Sequence, residues 1–155
     1  MAALFRLDHL EGSLLDVGCA VGDGFPVLQR SCPRVDSLGG CDFSSKGVAT
    51  ARRRFGAVDA FVHDVHEPLP SQWDNIVCLQ TLEHLPDPVA AIANLVAATR
   101  RSLIVATPYR NRRPDTDHRW SFDEGDFADV FDGFVLDPAR RNIFWYVTDD
   151  RSLVR

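Results

Sequence analysis

The sequence predicts an α/β protein: a three-layer arrangement with a seven-stranded, mostly parallel sheet, helices on both faces and an antiparallel last strand. Short runs of β-branched and apolar residues alternate with longer segments of helical period, which is the pattern of such a sheet. The first run leads directly into a glycine-rich loop, Leu14 to Gly24, reading LLDVGCAVGDG. Near the C-terminus two strand-like runs are separated only by PARRN, which permits an antiparallel hairpin at the sheet edge.

The strand candidates, in order, are Ser13 to Val17, Val35 to Cys41, Asp59 to His63, Asp74 to Leu79, Ser102 to Thr107, Gly133 to Asp137 and Ile143 to Val147. Between them, SSKGVATARRRF opens on a serine cap and spaces Val48, Ala51 and Phe55 along one face. PDPVAAIANLVAATRR places Pro88 near the first turn and Val89, Ile92, Leu95 and Val96 on one stripe. Its arginines fall at the C-terminal end, where the helix dipole favours them. SFDEGDFADVF begins with a capping box, Ser121 and Glu124, and predicts a further helix.

With 155 residues, 45% hydrophobic and 25% charged, the chain fits one domain, residues 1–155, with room for a core. Residues 1–12 form a short N-terminal segment. A net charge of −5 argues against duplex nucleic acid, whose binding rests on neutralising phosphates with Lys and Arg. The four cysteines form no C-x-x-C pair, so neither a zinc site nor a disulfide framework is suggested. They read as reduced thiols. The opening MAALFRLDHLEGS is too short and too charged for a signal peptide, and no apolar run approaches membrane-spanning length, so a soluble, cytoplasmic protein is expected.

In an open α/β sheet the ligand sits beyond the carboxyl ends of the strands. A dinucleotide fingerprint would need glycine at three places occupied here by Gly18, Ala20 and Asp23, and two of the three fail. A phosphate-gripping loop would need G-K-[ST], which is missing. The acids Asp16, Asp23, Asp42 and Asp64 also repel a phosphate in a poorly screened crevice. They suit a ligand with a positive centre, an ammonium and a ribose, and S-adenosylmethionine has all three.

LLDVGCAVGDG, then GCDFS, then HDV, then DNIVCLQTLEHLPDP resemble the successive motifs of the class I S-adenosylmethionine-dependent methyltransferases, in particular the small-molecule branch with an LEH signature. The resemblance covers roughly Ser13 to Pro108 and implies a Rossmann-like methyltransferase fold. It implies that Asp16, Gly18, Cys19 and Gly22 form the loop around the methionine part, with Ala20 where glycine is commonest. It places Asp42 on the ribose hydroxyls, Phe43 against adenine, Asp64 on the adenine amino group with the Val65 amide on a ring nitrogen, and Gln80 near the sulfonium. A branched side chain at Gly22 is then expected to block binding and leave the fold intact. Taken singly, Asp16 also reads as a strand-end acid held by local amides, and Asp42 with Ser44 as a helix cap.

Methyl transfer needs a nucleophile held in line with a reactive carbon, and a base only if the acceptor holds its proton tightly. Two groups are candidates. Glu83 and His84 stand in the LEH motif, where the histidine either organises the loop or acts in chemistry; a metal site there lacks an acid at Gln80, so no metal is assigned. PYRNRRPDTDHRW, Pro108 to Trp120, opens onto the same crevice and brings His118 as a candidate base, or as a structural histidine. Its arginines Arg110, Arg112, Arg113 and Arg119 either grip an anionic acceptor or keep a loop solvated. Only twelve residues precede the first strand, so a bulky acceptor, a partner chain or a second subunit is expected to cover the site. The expected function is methyl transfer to an oxygen or nitrogen of a metabolite; the alternative is a non-catalytic module that binds cofactor weakly and scaffolds a partner.

Overall fold

The computed structural model describes residues 4–110, 117–150 and 152–154. Its strands are β1 Gly12–Val17, β2 Val35–Asp42, β3 Asp59–Val62, β4 Trp73–Leu79, β5 Thr99–Pro108, β6 Gly133–Asp137 and β7 Asn142–Thr148. The helices are α1 Phe25–Ser31, α2 Ser45–Arg54 and α3 Pro88–Ala98, with 3-10 turns at Leu7–His9 and Leu82–His84. All seven strands join one sheet in the order β3-β2-β1-β4-β5-β7-β6. Strands β1 to β5 pair in parallel, while β7 runs antiparallel to both β5 and β6. The expected sheet, its edge hairpin and its antiparallel last strand are therefore present.

Successive side chains on a strand face opposite sides, and the core divides accordingly. Leu15, Ile76, Cys78, Leu103 and Val105 meet α3 through Ala91, Ile92, Leu95 and Ala98. Leu14, Val77, Ile104 and Ala106 meet Leu28 and Cys32 at α1, with Phe5, Leu7 and Leu10 beside them. A smaller cluster joins Phe25 to Val48 and Ala51 of α2. Both faces of the central strands are covered, which is why these strands read as continuous apolar runs rather than as alternation.

Three sequence expectations are corrected. The segment from Ser121 to Phe131 is a chain of turns. Asp123 Oδ1 accepts the Gly125 amide at 3.0 Å and so offers the backbone a local bond that competes with a helix. The capping-box Glu124 is taken instead by the Tyr109 hydroxyl at 2.9 Å and by Arg110 at 3.1 Å. Phe122, Phe127 and Phe131 of this segment still bury their rings around Trp145. Helix α3 turns its stripe differently too: Val89 is 65% exposed, and Pro88, Ala91, Ile92, Leu95 and Ala98 face the core. It ends at Ala98, so Arg100 and Arg101 belong to β5 and pair with Asp74, Glu11 and Asp149.

Candidate active site

Strand order reverses between β1 and β4, and the loops after β1, β2, β3 and β4 open on the same side. There they line a cleft of about 640 Å³, within the usual range for small-molecule sites. Gly18, Ala20, Asp42, Phe43, Asp64, Val65 and Gln80 meet in its wall, together with His84.

The β1 loop bends through three left-handed residues, Gly18 at φ +79°, Ala20 at +47° and Gly22 at +83°. A Cβ at Gly18 would collide with Thr81, so glycine there lets β1 and β4 approach. Alanine in the left-handed region is strained, and the loop holds it through a bond from its amide to Asp42 Oδ2 at 2.9 Å. The other Asp42 oxygen accepts the Ser44 amide at 2.8 Å. Each carboxylate oxygen has two lone pairs, so both retain capacity for a further donor. Ser44, not Asp42, caps α2, accepting the Gly47 amide at 3.1 Å.

Three of the residues placed on the loop do not face the cleft. Asp16 is buried, and a Cβ at Gly24 would stand 3.0 Å from its Oδ2, so the carboxylate turns under the loop toward the start of α1. Burial, and then the nearby charge of Asp42, push its carboxyl up to about 7. Cys19 points into the core, where burial raises its thiol to about 12, so it stays protonated. Gly22 packs on rings instead: a Cβ there would lie 2.9 Å from both Phe25 and Phe55.

Phe43 is 78% exposed at the cleft mouth, an aromatic face open to solvent. Asp64 follows β3; its Oδ1 accepts the His66 amide at 3.0 Å and meets His66 Nδ1 at 2.7 Å. Those bonds hold its carboxyl below the ordinary range. Val65 is fixed from behind by Asn94, whose side-chain amide donates to its carbonyl at 3.0 Å. Gln80 closes β4 in a left-handed conformation, φ +55°, a strained backbone at a cleft wall.

At the other end, the LEH motif forms the 3-10 turn Leu82–His84. The Arg119 amide donates to the Glu83 carbonyl at 2.7 Å, and the Trp120 indole donates to the Leu85 carbonyl at 2.8 Å. These bonds seat His118 on the turn, its ring edge-on to His84 with centroids 4.8 Å apart. Asp117 Oδ2 lies 3.3 Å from His84 Nδ1, close but misaligned for a hydrogen bond. Glu83 is 1% exposed, and burial pushes its carboxyl upward. Of the four arginines, Arg119 lines the cleft, whereas Arg110 pairs with Glu124 and lies over the Tyr109 ring. Arg112 and Arg113 lie outside the described residues. Asp117, from the loop that carries His118, also lines the cleft, as does Thr81, which the sequence does not single out because a threonine beside the LEH turn signals no chemistry of its own.

A family model described as a methyltransferase domain matches residues 15–102, and the chain belongs to that family, the class I S-adenosylmethionine-dependent methyltransferases. A curated relative, the ubiquinone biosynthesis O-methyltransferase of Neisseria meningitidis, is 32% identical over 59% of this chain and 45% of its own length. The chain thus spans less than half of that relative. Among solved structures, an S-adenosylmethionine-dependent methyltransferase from Clostridium acetobutylicum superposes with a TM-score of 0.70 at 11% identity, covering 95% of this chain and 85% of that one. CalS10, an amino pentose methyltransferase from Micromonospora echinaspora with S-adenosylmethionine bound, gives 0.60 at 24% identity, covering 70% and 49%. S-adenosylmethionine is the cofactor of this class, and the residues present fit it. Asp42 offers a carboxylate to a diol and Phe43 offers an open aromatic face; Asp23 of the β1 loop is instead paired with Arg54 at 2.6 Å.

Proposed function

We propose that the chain is a catalytic domain that transfers a methyl group from S-adenosylmethionine to an oxygen or nitrogen of a small molecule. The observation that carries the reading is the single cleft that runs from Asp42 and Phe43 at one end to His84, Asp117 and Arg119 at the other. When bound, the cofactor supplies an electrophilic methyl carbon whose bond to sulfur breaks with its electron pair going to sulfur.

The chain's own residues bind, orient and exclude water. Asp42 accepts from the ribose hydroxyls, and Phe43 with Val65 covers the two faces of the base. Asp64 accepts from the adenine amino group, and the Val65 amide donates to the ring. Asp16, beneath the loop, attracts the ammonium without touching it. Gln80 lies near the reacting carbon, its backbone fixed by the hydrogen bond its N–H donates to the Ala106 carbonyl at 2.7 Å. The acceptor enters from the side of His84 and His118, which are placed to take a proton from an acceptor hydroxyl as its oxygen attacks. Arg119 faces an anionic group on the acceptor.

Calorimetry with S-adenosylmethionine, followed by incubation of the protein and labelled methyl donor with cell extract, tests the reading. Micromolar cofactor binding with label appearing in a small molecule is expected. Binding without transfer would leave a non-catalytic module, and label in protein or nucleic acid alone would move the acceptor class.

A further inference from the structure

The sheet has two margins, β3 on one side and β6 on the other. An edge strand presents unpaired N–H and C=O groups to any chain able to pair with them, and soluble proteins blunt such edges with charges, prolines, bulges or a covering group. At β3 an arginine supplies that cover, the Arg52 Nε donating to the Ala60 carbonyl at 2.6 Å. At β6, Gly133–Asp137, no such cover exists among the described residues. Its sequence GFVLD holds no proline or lysine, and it pairs with β7 from Gly133–Tyr146 to Asp137–Asn142 without a bulge.

The side chains of β6 extend an apolar face to this margin. Phe134 and Leu136 are 44% and 37% exposed, while their register partners on β7, Trp145 and Ile143, are buried. Cross-strand partners share a face, so the core on that face runs outward and ends in two uncovered side chains. The charges flanking the strand are sorted by sign. Asp126, Asp129 and Asp132 precede it, and Arg140 and Arg141 follow it. All five are exposed, and none forms an ion pair with another described residue.

We propose that β6 pairs antiparallel with β6 of a second copy of this chain about a two-fold axis, joining the two sheets edge to edge. The strand's own pattern selects a second copy as the occupant. With Val135 opposite Val135 of the other copy, Phe134 of each stands opposite Leu136 of the other, giving two apolar cross-strand pairs on the face that carries Trp145. The same register sets Asp129 and Asp132 of one copy beside Arg140 and Arg141 of the other, and does so at both ends. A parallel pairing would bring acids to acids and arginines to arginines, so charge selects the antiparallel one. The axis turns the second copy end for end, so the two clefts open at opposite rims of the joined sheet and neither is covered.

Sedimentation velocity of the whole chain over a concentration series tests this. A reversible monomer–dimer equilibrium in the micromolar range is expected, as suits a small interface, with association weakening as salt rises. Phe134→Lys should weaken association by about tenfold or more with the circular dichroism spectrum unchanged, since it puts a charge on an exposed edge. Val62→Lys, on the opposite edge strand, should leave association unaltered. Charge reversal is the second arm should Phe134→Lys fail to fold. Arg140→Glu and Asp129→Lys each set like charges together at both ends and should each weaken self-association, whereas an equimolar mixture of the two variants matches opposite charges at both ends and should dimerise more strongly than either alone. A chain that stays monomeric at roughly millimolar concentration, a dimer that survives Phe134→Lys, one lost in Val62→Lys, or a mixture no stronger than its components overturns the proposal.

Discussion

The Asp42 carboxylate and the Ala20 amide are joined by a 2.9 Å hydrogen bond that ties the tip of β2 to the glycine loop of β1. The residue proposed to hold the ribose is therefore also the one that holds the loop beneath the methionine part.

Replacing Asp42 with alanine removes acceptors from the Ala20 and Ser44 amides as well as from the ribose. Cofactor affinity is expected to fall by about 1–3 kcal/mol, read by calorimetry, with a small drop in melting temperature. Unchanged affinity in a folded variant would remove Asp42 from the ribose site.

Ala20 carries a Cβ in a left-handed conformation, φ +47°. Ala20→Gly relieves that strain while enlarging the freedom of the unfolded chain, and the net gain expected is about 0.5–1 kcal/mol. In a domain of this size that raises the melting temperature by roughly 1–4 °C. A lower melting temperature would mean that the methyl group packs against something the loop needs.

Gly22→Val tests a revision made by the structure. Sequence reasoning expects lost binding with the fold intact. The left-handed backbone and the Phe25 and Phe55 rings at 2.9 Å instead require a branched side chain there to disrupt the packing between α1 and the end of α2. A loss of about 3 kcal/mol or more in denaturant unfolding is expected, in the range of overpacking combined with backbone strain. A variant with wild-type stability and no cofactor binding would restore the original view.

Asp16 provides a pH signature. Burial, reinforced by Asp42, raises its carboxyl from 3.8 to about 7 in the folded protein. The folded state then binds more protons than the unfolded chain between those values, so the Asp16 contribution to stability falls as pH rises from about 4 to 7. Cofactor binding carries the opposite slope, because the cationic ammonium favours the ionised form. Affinity should rise with pH toward 7, with proton uptake by buffer detected calorimetrically. Asp16→Asn should flatten both trends relative to the wild type. Parallel pH profiles for the two proteins would exclude Asp16 as the linked group.

Arg119 lines the cleft opposite the cofactor end. Arg119→Ala should raise the KM for an anionic acceptor while S-adenosylhomocysteine affinity stays the same, since the two ligands meet different walls. An unchanged KM would make the arginine a solvated neighbour of the site.

The sheet and its order of elements were legible in local pattern because period and punctuation are short-range properties: apolar runs of strand length, a glycine loop after the first, acids at the tips of successive strands. The same locality explains the errors. A capping box at Ser121 and Glu124 is a fair helix signal until Tyr109 and Arg110, distant from Glu124 along the chain, take the carboxylate and the local Asp123 turn prevails. The helical stripe of α3 shifted because the sheet, not the helix, chooses which residues it covers. Motif spacing points to Gly18, Asp42, Asp64 and Gln80, which the structure brings to one cleft, but it could not tell which loop residues face that cleft and which face the core. That division put Asp16, Cys19 and Gly22 behind the wall, and it follows from packing against α1 and Phe55. That the loop carrying His118 opens on the same crevice as Glu83 and His84 is legible in the sequence; their direct contact is not. His118 lies more than thirty residues from its neighbours, and only backbone bonds from Arg119 to Glu83 and from the Trp120 side chain to Leu85 bring it onto the LEH turn. Sequence determined which chemistry the chain carries; long-range hydrogen bonds and burial decided which groups share a site, because both act between residues whose separation along the chain has no fixed value.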